Sequence, residues 1–118
     1  MTTDPSSSGD RPEDHLRITR SEAPDAATVT LALDGDLDPF TAPLLTAELD
    51  DTLQGGVHTL ELDVSRLRFL DSSGLRVLIV AHNQLDPKGG GVVLVGPSDA
   101  TRRVIEISGL DQSFTLRP

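Results

Sequence analysis

The stretch Phe69-Leu70-Asp71-Ser72-Ser73-Gly74-Leu75 carries an apolar, strand-like segment directly into a helix start. Asp71, Ser72 and Ser73 are all residue types that cap helices, and Leu75, Leu78, Ile79 and His82 then recur on one helical face. The first turn of a helix leaves backbone N–H groups unpaired at the positive end of the helix dipole. An anion is therefore favoured beside the two adjacent hydroxyls, and a phosphate can be held there. The plainer reading is that Asp71 or Ser72 only caps the helix and Gly74 only permits tight packing. A capping hydroxyl can also be modified, so the two readings are compatible.

Downstream, the helix is expected over Ser73 to Leu85, ended by Asp86-Pro87-Lys88-Gly89-Gly90. Most of its positions are apolar, with Arg76 and Asn83 on one polar stripe, so it is expected to be largely buried with its N-terminus held rigidly. Val92 to Val95 is a continuous apolar run that suits a strand buried on both faces. Ser98 or Asp99 caps a third helix through Ile107, Gly109 closes it, and Ser113 to Leu116 forms a short last strand. Upstream, Leu60, Leu62 and Val64 alternate as a strand, and Leu45, Leu49 and Leu53 repeat as a helix between Thr41 as N-cap and Gly55-Gly56 as stop. Leu16 and Ile18, then Val29, Leu31 and Leu33, read as a hairpin turning at Ser21 to Ala26. Residues 1–14 are polar, rich in Pro and Ser and without periodicity, which predicts a disordered arm before a domain over residues 15–118. The resulting order, β-β-α-β-α-β-α-β, is that of an α/β domain with a mostly parallel sheet and an antiparallel edge.

At 118 residues the chain supports one domain. It has no cysteine, and His15, His58 and His82 are scattered without ligand spacing, so the sequence offers no metal site and implies no cofactor. A formal charge of −9 opposes binding to nucleic acid or to anionic membrane surfaces and points to a protein partner. No apolar run approaches the length of about 18 residues that a membrane span needs, and the N-terminus lacks a basic and apolar leader pattern, so the chain reads as cytoplasmic.

A second element, Leu33-Asp34-Gly35-Asp36-Leu37-Asp38-Pro39-Phe40-Thr41-Ala42, lies at another strand-to-helix junction. Loops at the carboxyl ends of strands gather at one edge of an open α/β sheet, so Asp36, Asp38 and Ser72 are expected to share a surface. Alternatively the aspartates form a solvated turn, with Asp38 as a cap before Pro39. The pairing of this segment with F-L-D-S-S-G-L, followed by GG…V…LVGPS and R-x-I-E-I-S-G-L, resembles the bacterial anti-sigma factor antagonists of the STAS-domain family. The likeness runs from Leu16 to Leu116.

The resemblance implies a STAS-like mixed sheet of four to five strands with helices packed on it. It also implies a regulator that is not an enzyme and that binds an anti-sigma factor with serine kinase activity, so freeing a sigma factor. Phosphorylation by that kinase switches binding off, and a PP2C-type serine phosphatase reverses it. Carried over by position, Ser72 is the phosphoacceptor, Ser73 supports the helix start, and Asp36, Asp38, Asp71 and Arg76 join them at the partner surface. Pro39-Phe40 and Arg76 depart from the family pattern, which leaves the partner's identity open. The chain has no phosphate-binding loop of its own, so a kinase must act in trans. A serine hydrolase is disfavoured, because neither serine lies in G-x-S-x-G. The remaining alternative is a non-switching STAS scaffold, or a subunit of a stress-signalling or transport complex.

Overall fold

The computed structural model describes residues 11–118. Most of the arm expected over residues 1–14 lies outside the described residues, and Pro12–Asp14 form a 3-10 turn. Five strands follow in one sheet: β1 (Leu16–Glu22), β2 (Thr28–Leu37), β3 (Thr59–Leu70), β4 (Gly91–Val95) and β5 (Thr115–Arg117). Three helices connect the last four: α1 (Ala42–Leu53), α2 (Ser72–Leu85) and α3 (Asp99–Ile107). The fold is the expected α/β arrangement, with β1 antiparallel to β2 and every later pair parallel.

The spatial order of the strands is their order in the chain, β1-β2-β3-β4-β5. Each crossover therefore steps one strand over in the same direction, and right-handed connections that all step the same way put every helix on one face. The core lies between that face and the helices. Leu31, Leu60, Leu62 and Leu94 from the strands, Leu45 from α1 and Ile105 from α3 are all fully buried in it. Burying each such side chain is worth about 1.5–3 kcal/mol relative to exposure.

One-sided coverage corrects two expectations. Val92 and Leu94 are buried, but Val93 and Val95 point to the uncovered face and are only half-buried, so β4 is not covered on both sides. α2 buries Leu75, Leu78, Ala81 and Leu85, while Val80 on its outer side is half-exposed. The uncovered face satisfies its polar groups laterally: Thr30 Oγ1 donates to Glu61 across 3.1 Å and Arg117 pairs with Glu61 at 3.0 Å.

β3 is longer than its Leu60-Leu62-Val64 alternation indicates, because it continues to Leu70 through two register shifts against β2. Ala32 and Asp34 of β2 face Asp63 and Arg66, and Gly35 and Asp36 face Leu67 and Phe69, so β3 carries one extra residue at each place. Such bulges bend a strand and re-aim its side chains, which here keeps Leu67 and Leu70 buried and turns Phe69 outward. Gly35 sits at the second shift with φ +131°, and a Cβ there would lie 2.1 Å from the His15 carbonyl oxygen. Only glycine allows β1 and β2 to approach at that point.

Candidate functional site

The two strand-to-helix junctions meet. β2 and β3 stay paired to their last residues, Asp36 beside Phe69 and Leu37 beside Leu70, and the Asp71 amide donates to the Leu37 carbonyl at 3.3 Å. α2 then begins at Ser72. Asp71 is the cap: its backbone is extended, and Oδ1 accepts from the Ser73 and Gly74 amides at 2.9 and 3.3 Å. Ser72 is the first helical residue and its side chain is exposed. Ser73 is half-buried and Gly74 is buried. A Cβ on Gly74 would stand 2.6 Å from Leu70 Cδ1 and 2.7 Å from Leu37 Cδ2, so the helix rests directly on the ends of both strands.

Asp38 performs the corresponding task for α1. Its Oδ1 accepts from the Phe40 and Thr41 amides at 2.9 and 3.0 Å, and its backbone carbonyl accepts from Ala42 at 2.8 Å. Thr41 is the N-cap residue, as expected, although the capping bonds come from Asp38 and not from its side chain. Thr41 occupies the cap position but its backbone is already helical, and its buried hydroxyl donates to the Asp36 carbonyl at 2.7 Å. That bond ties the helix start to the end of β2. The Asp36 carboxylate lies 3.5 Å from the exposed Arg68 guanidinium. Of the three aspartates expected at the surface, Asp38 and Asp71 thus accept from backbone amides, and Asp36 faces a cation.

Two features of this edge escaped the sequence reading. Phe40 and Phe69, one on each junction, are 46% and 50% exposed. Buried large apolar side chains need no explanation, whereas two exposed phenylalanines on adjoining junctions do. The second feature is an open groove between α1 and α2, walled by Pro39, Pro43, Thr46, Asp50, Ser73 and Arg76. It continues along α2 past Val77 to Val80. The apolar surplus of α2 was its signal in the sequence.

His58 precedes β3 and His82 lies in the last turn of α2, edge-on to Phe114 at 6.0 Å, so both stand at the opposite end of the sheet from Ser72. Among the described residues no group of three His, Cys, Asp or Glu side chains is placed to hold a metal ion. The arrangement is that of an exposed hydroxyl on a rigid helix start, on an edge that also carries three carboxylates and two half-exposed phenylalanines.

Comparison with known proteins agrees with this geometry. A family described as "Mlab, STAS domain" matches residues 21–118. The anti-sigma-F factor antagonist RsfB of Mycobacterium tuberculosis (strain H37Rv) is 33% identical over 104 residues, covering 80% of this chain and 84% of that protein. The crystal structure of an anti-sigma factor antagonist from Mycobacterium paratuberculosis superimposes with a TM-score of 0.79 at 29% identity, covering 87% of this chain and 86% of that one. The antagonist SpoIIAA in its unphosphorylated form gives 0.72 at 28% identity, covering 86% of each chain. Its phosphorylated form from Bacillus gives 0.65 at 28% identity, covering 86% of this chain and 89% of that one. Because the match takes in every strand from β2 onward and all three helices, the chain belongs to the STAS-domain family of anti-sigma factor antagonists, whose members are binding regulators and not enzymes.

Proposed function

We propose that this chain, in its unphosphorylated form, binds an anti-sigma factor with serine kinase activity and thereby releases a sigma factor, and that phosphorylation of Ser72 ends the interaction. The observation that carries this reading is the exposed Ser72 hydroxyl at the start of a helix seated on two strand ends, beside the Asp38 junction. The existence of SpoIIAA in both phosphorylated and unphosphorylated forms supports it. In the forward step the Ser72 oxygen takes the terminal phosphoryl group of a nucleoside triphosphate held by the kinase, releasing the diphosphate and the hydroxyl proton. A PP2C-type serine phosphatase would hydrolyse that ester and restore the hydroxyl.

The switch follows from charge. A phosphate adds about −1.5 to −2 charges beside Asp71 and Asp38 without requiring the helix to move, since amides and dipole at its N-terminus favour an anion. Affinity falls while the fold stays. A coupling of about 1–3 kcal/mol corresponds to roughly 5- to 150-fold weaker binding. Asp36, Asp38, Asp71, Ser73 and Arg76 would border the contact, with Phe40 and Phe69 as its apolar anchors, because aromatic residues, Phe among them, are enriched at the cores of such interfaces. Residues 15–118 would carry this activity, with residues 1–14 as an arm outside it, and the cytoplasm would be its compartment. Among the described residues no helix is long and apolar enough to cross a membrane.

A paired capture from native lysate tests the reading, with Ser72→Ala and Ser72→Glu forms as baits and mass spectrometry as readout. Retention of an ATP-binding serine kinase by Ser72→Ala and its loss from Ser72→Glu is the expected result. Equal retention of the same partners by both baits would replace the switch with a STAS scaffold that does not use this serine.

A further inference from the structure

Arg76 stands four residues after Ser72 on α2. Helix positions four apart lie one above the other, their Cβ atoms about 5–6 Å apart. Every Cα–Cβ bond in a helix tilts toward its N-terminus, so a long side chain at position 76 covers the turn that begins at Ser72. Arg76 is exposed and, like several arginines among the described residues, forms no ion pair. Asp71 at the cap before Ser72 and Asp50 across the groove form no ion pair with it. Arg76 also lines the α1/α2 groove, sharing it with Ser73 and with Asp50 from the opposite wall.

We propose that Arg76 is the receiver of the Ser72 phosphate and that forming this pair carries the modification into the groove. A phosphoserine presents three strong acceptor oxygens, and the planar guanidinium fork binds phosphate through two parallel hydrogen bonds. The pair draws Arg76 toward the helix start and takes a cation from the groove wall, leaving the Asp50 carboxylate there. Phosphorylation then alters two surfaces at once, the serine edge and the groove. The regulatory meaning rests on the function proposed above, but the pairing itself requires only a phosphate at position 72.

Phosphoserine placed at position 72 by genetic-code expansion makes the test independent of any kinase. Phosphorus NMR follows the second ionisation of that phosphate in the full chain and in its Arg76→Ala, Arg76→Lys and Arg68→Ala variants, with circular dichroism confirming the fold of each. A guanidinium in contact holds the phosphate dianionic to lower pH. The midpoint is therefore expected to rise by about half a pH unit or more in Arg76→Ala, to be partly restored in Arg76→Lys, and to stay in place in Arg68→Ala. A midpoint unmoved by Arg76→Ala, or moved equally by Arg68→Ala, overturns the proposal. Failure of the capture experiment would overturn the regulatory reading and leave this result standing.

Discussion

At the residue scale, the side chains that surround Ser72 each have a structural task that can be measured apart from binding. Asp71→Ala removes the acceptor for two α2 amides and is expected to cost about 1–2 kcal/mol by urea denaturation, whereas Asp71→Asn, an equally good cap type, should lose little. Asp38→Ala removes the acceptor for the Phe40 and Thr41 amides, so the same experiment should read a similar loss for α1. These carboxylates are therefore poor single probes of partner contact, and Phe40→Ala or Phe69→Ala is the cleaner choice. At Gly74 two effects oppose each other. Alanine favours a helix by up to about 1 kcal/mol, yet its Cβ would press on Leu37, which is fully buried and has no room to yield. Overpacking is expected to win, with Gly74→Ala less stable by about 1–3 kcal/mol in thermal or chemical melts.

At the scale of the elements, α2 is the instructive case. Its composition suggests burial on nearly all sides, whereas its neighbours fully bury only the stripe through Leu75, Leu78, Ala81 and Leu85, half-bury Val77 and Ile79, and leave Val80 half-exposed. Leu78→Ala should destabilise the domain by about 2–5 kcal/mol, while Val80→Ser should stay within about 0.5 kcal/mol of the parent. Comparable losses for both would mean that α2 is covered on its outer side as well. β3 shows a different kind of mismatch. Its alternation fails after Val64 because two extra residues are bulged out against β2, and the same irregularity lets Leu70 finish level with Leu37.

For the whole molecule, sequential strand order and right-handed crossovers leave a single helical layer, an uncovered polar sheet face, and one edge where strand ends and helix starts collect. Ser72 lies on that edge, outside the core, so under the function proposed above a charge there would meet the partner without disturbing the packing beneath. Ser72→Glu is expected to leave the melting temperature close to that of the parent while partner affinity, measured by calorimetry, falls roughly 5- to 150-fold. A large drop in stability would instead attribute the loss of binding to unfolding.

The order of the elements, the parallel sheet with its antiparallel edge, the helix start at the serines and the family likeness were all legible in the chain itself. Each depends on local pattern: spacing of Leu and Val, capping residue types, and Gly or Pro at the stops. The cap of α3 at Ser98 or Asp99, which the structure assigns to Ser98, and Gly109 beyond its end were legible for the same reason. Tertiary structure alone decided that Val80 and Val93 face outward and that Phe40 and Phe69 stand exposed on adjoining junctions. These outcomes depend on which strand lies beside which and on which face the helices cover. Such contacts join residues far apart in the chain, and no local periodicity encodes them.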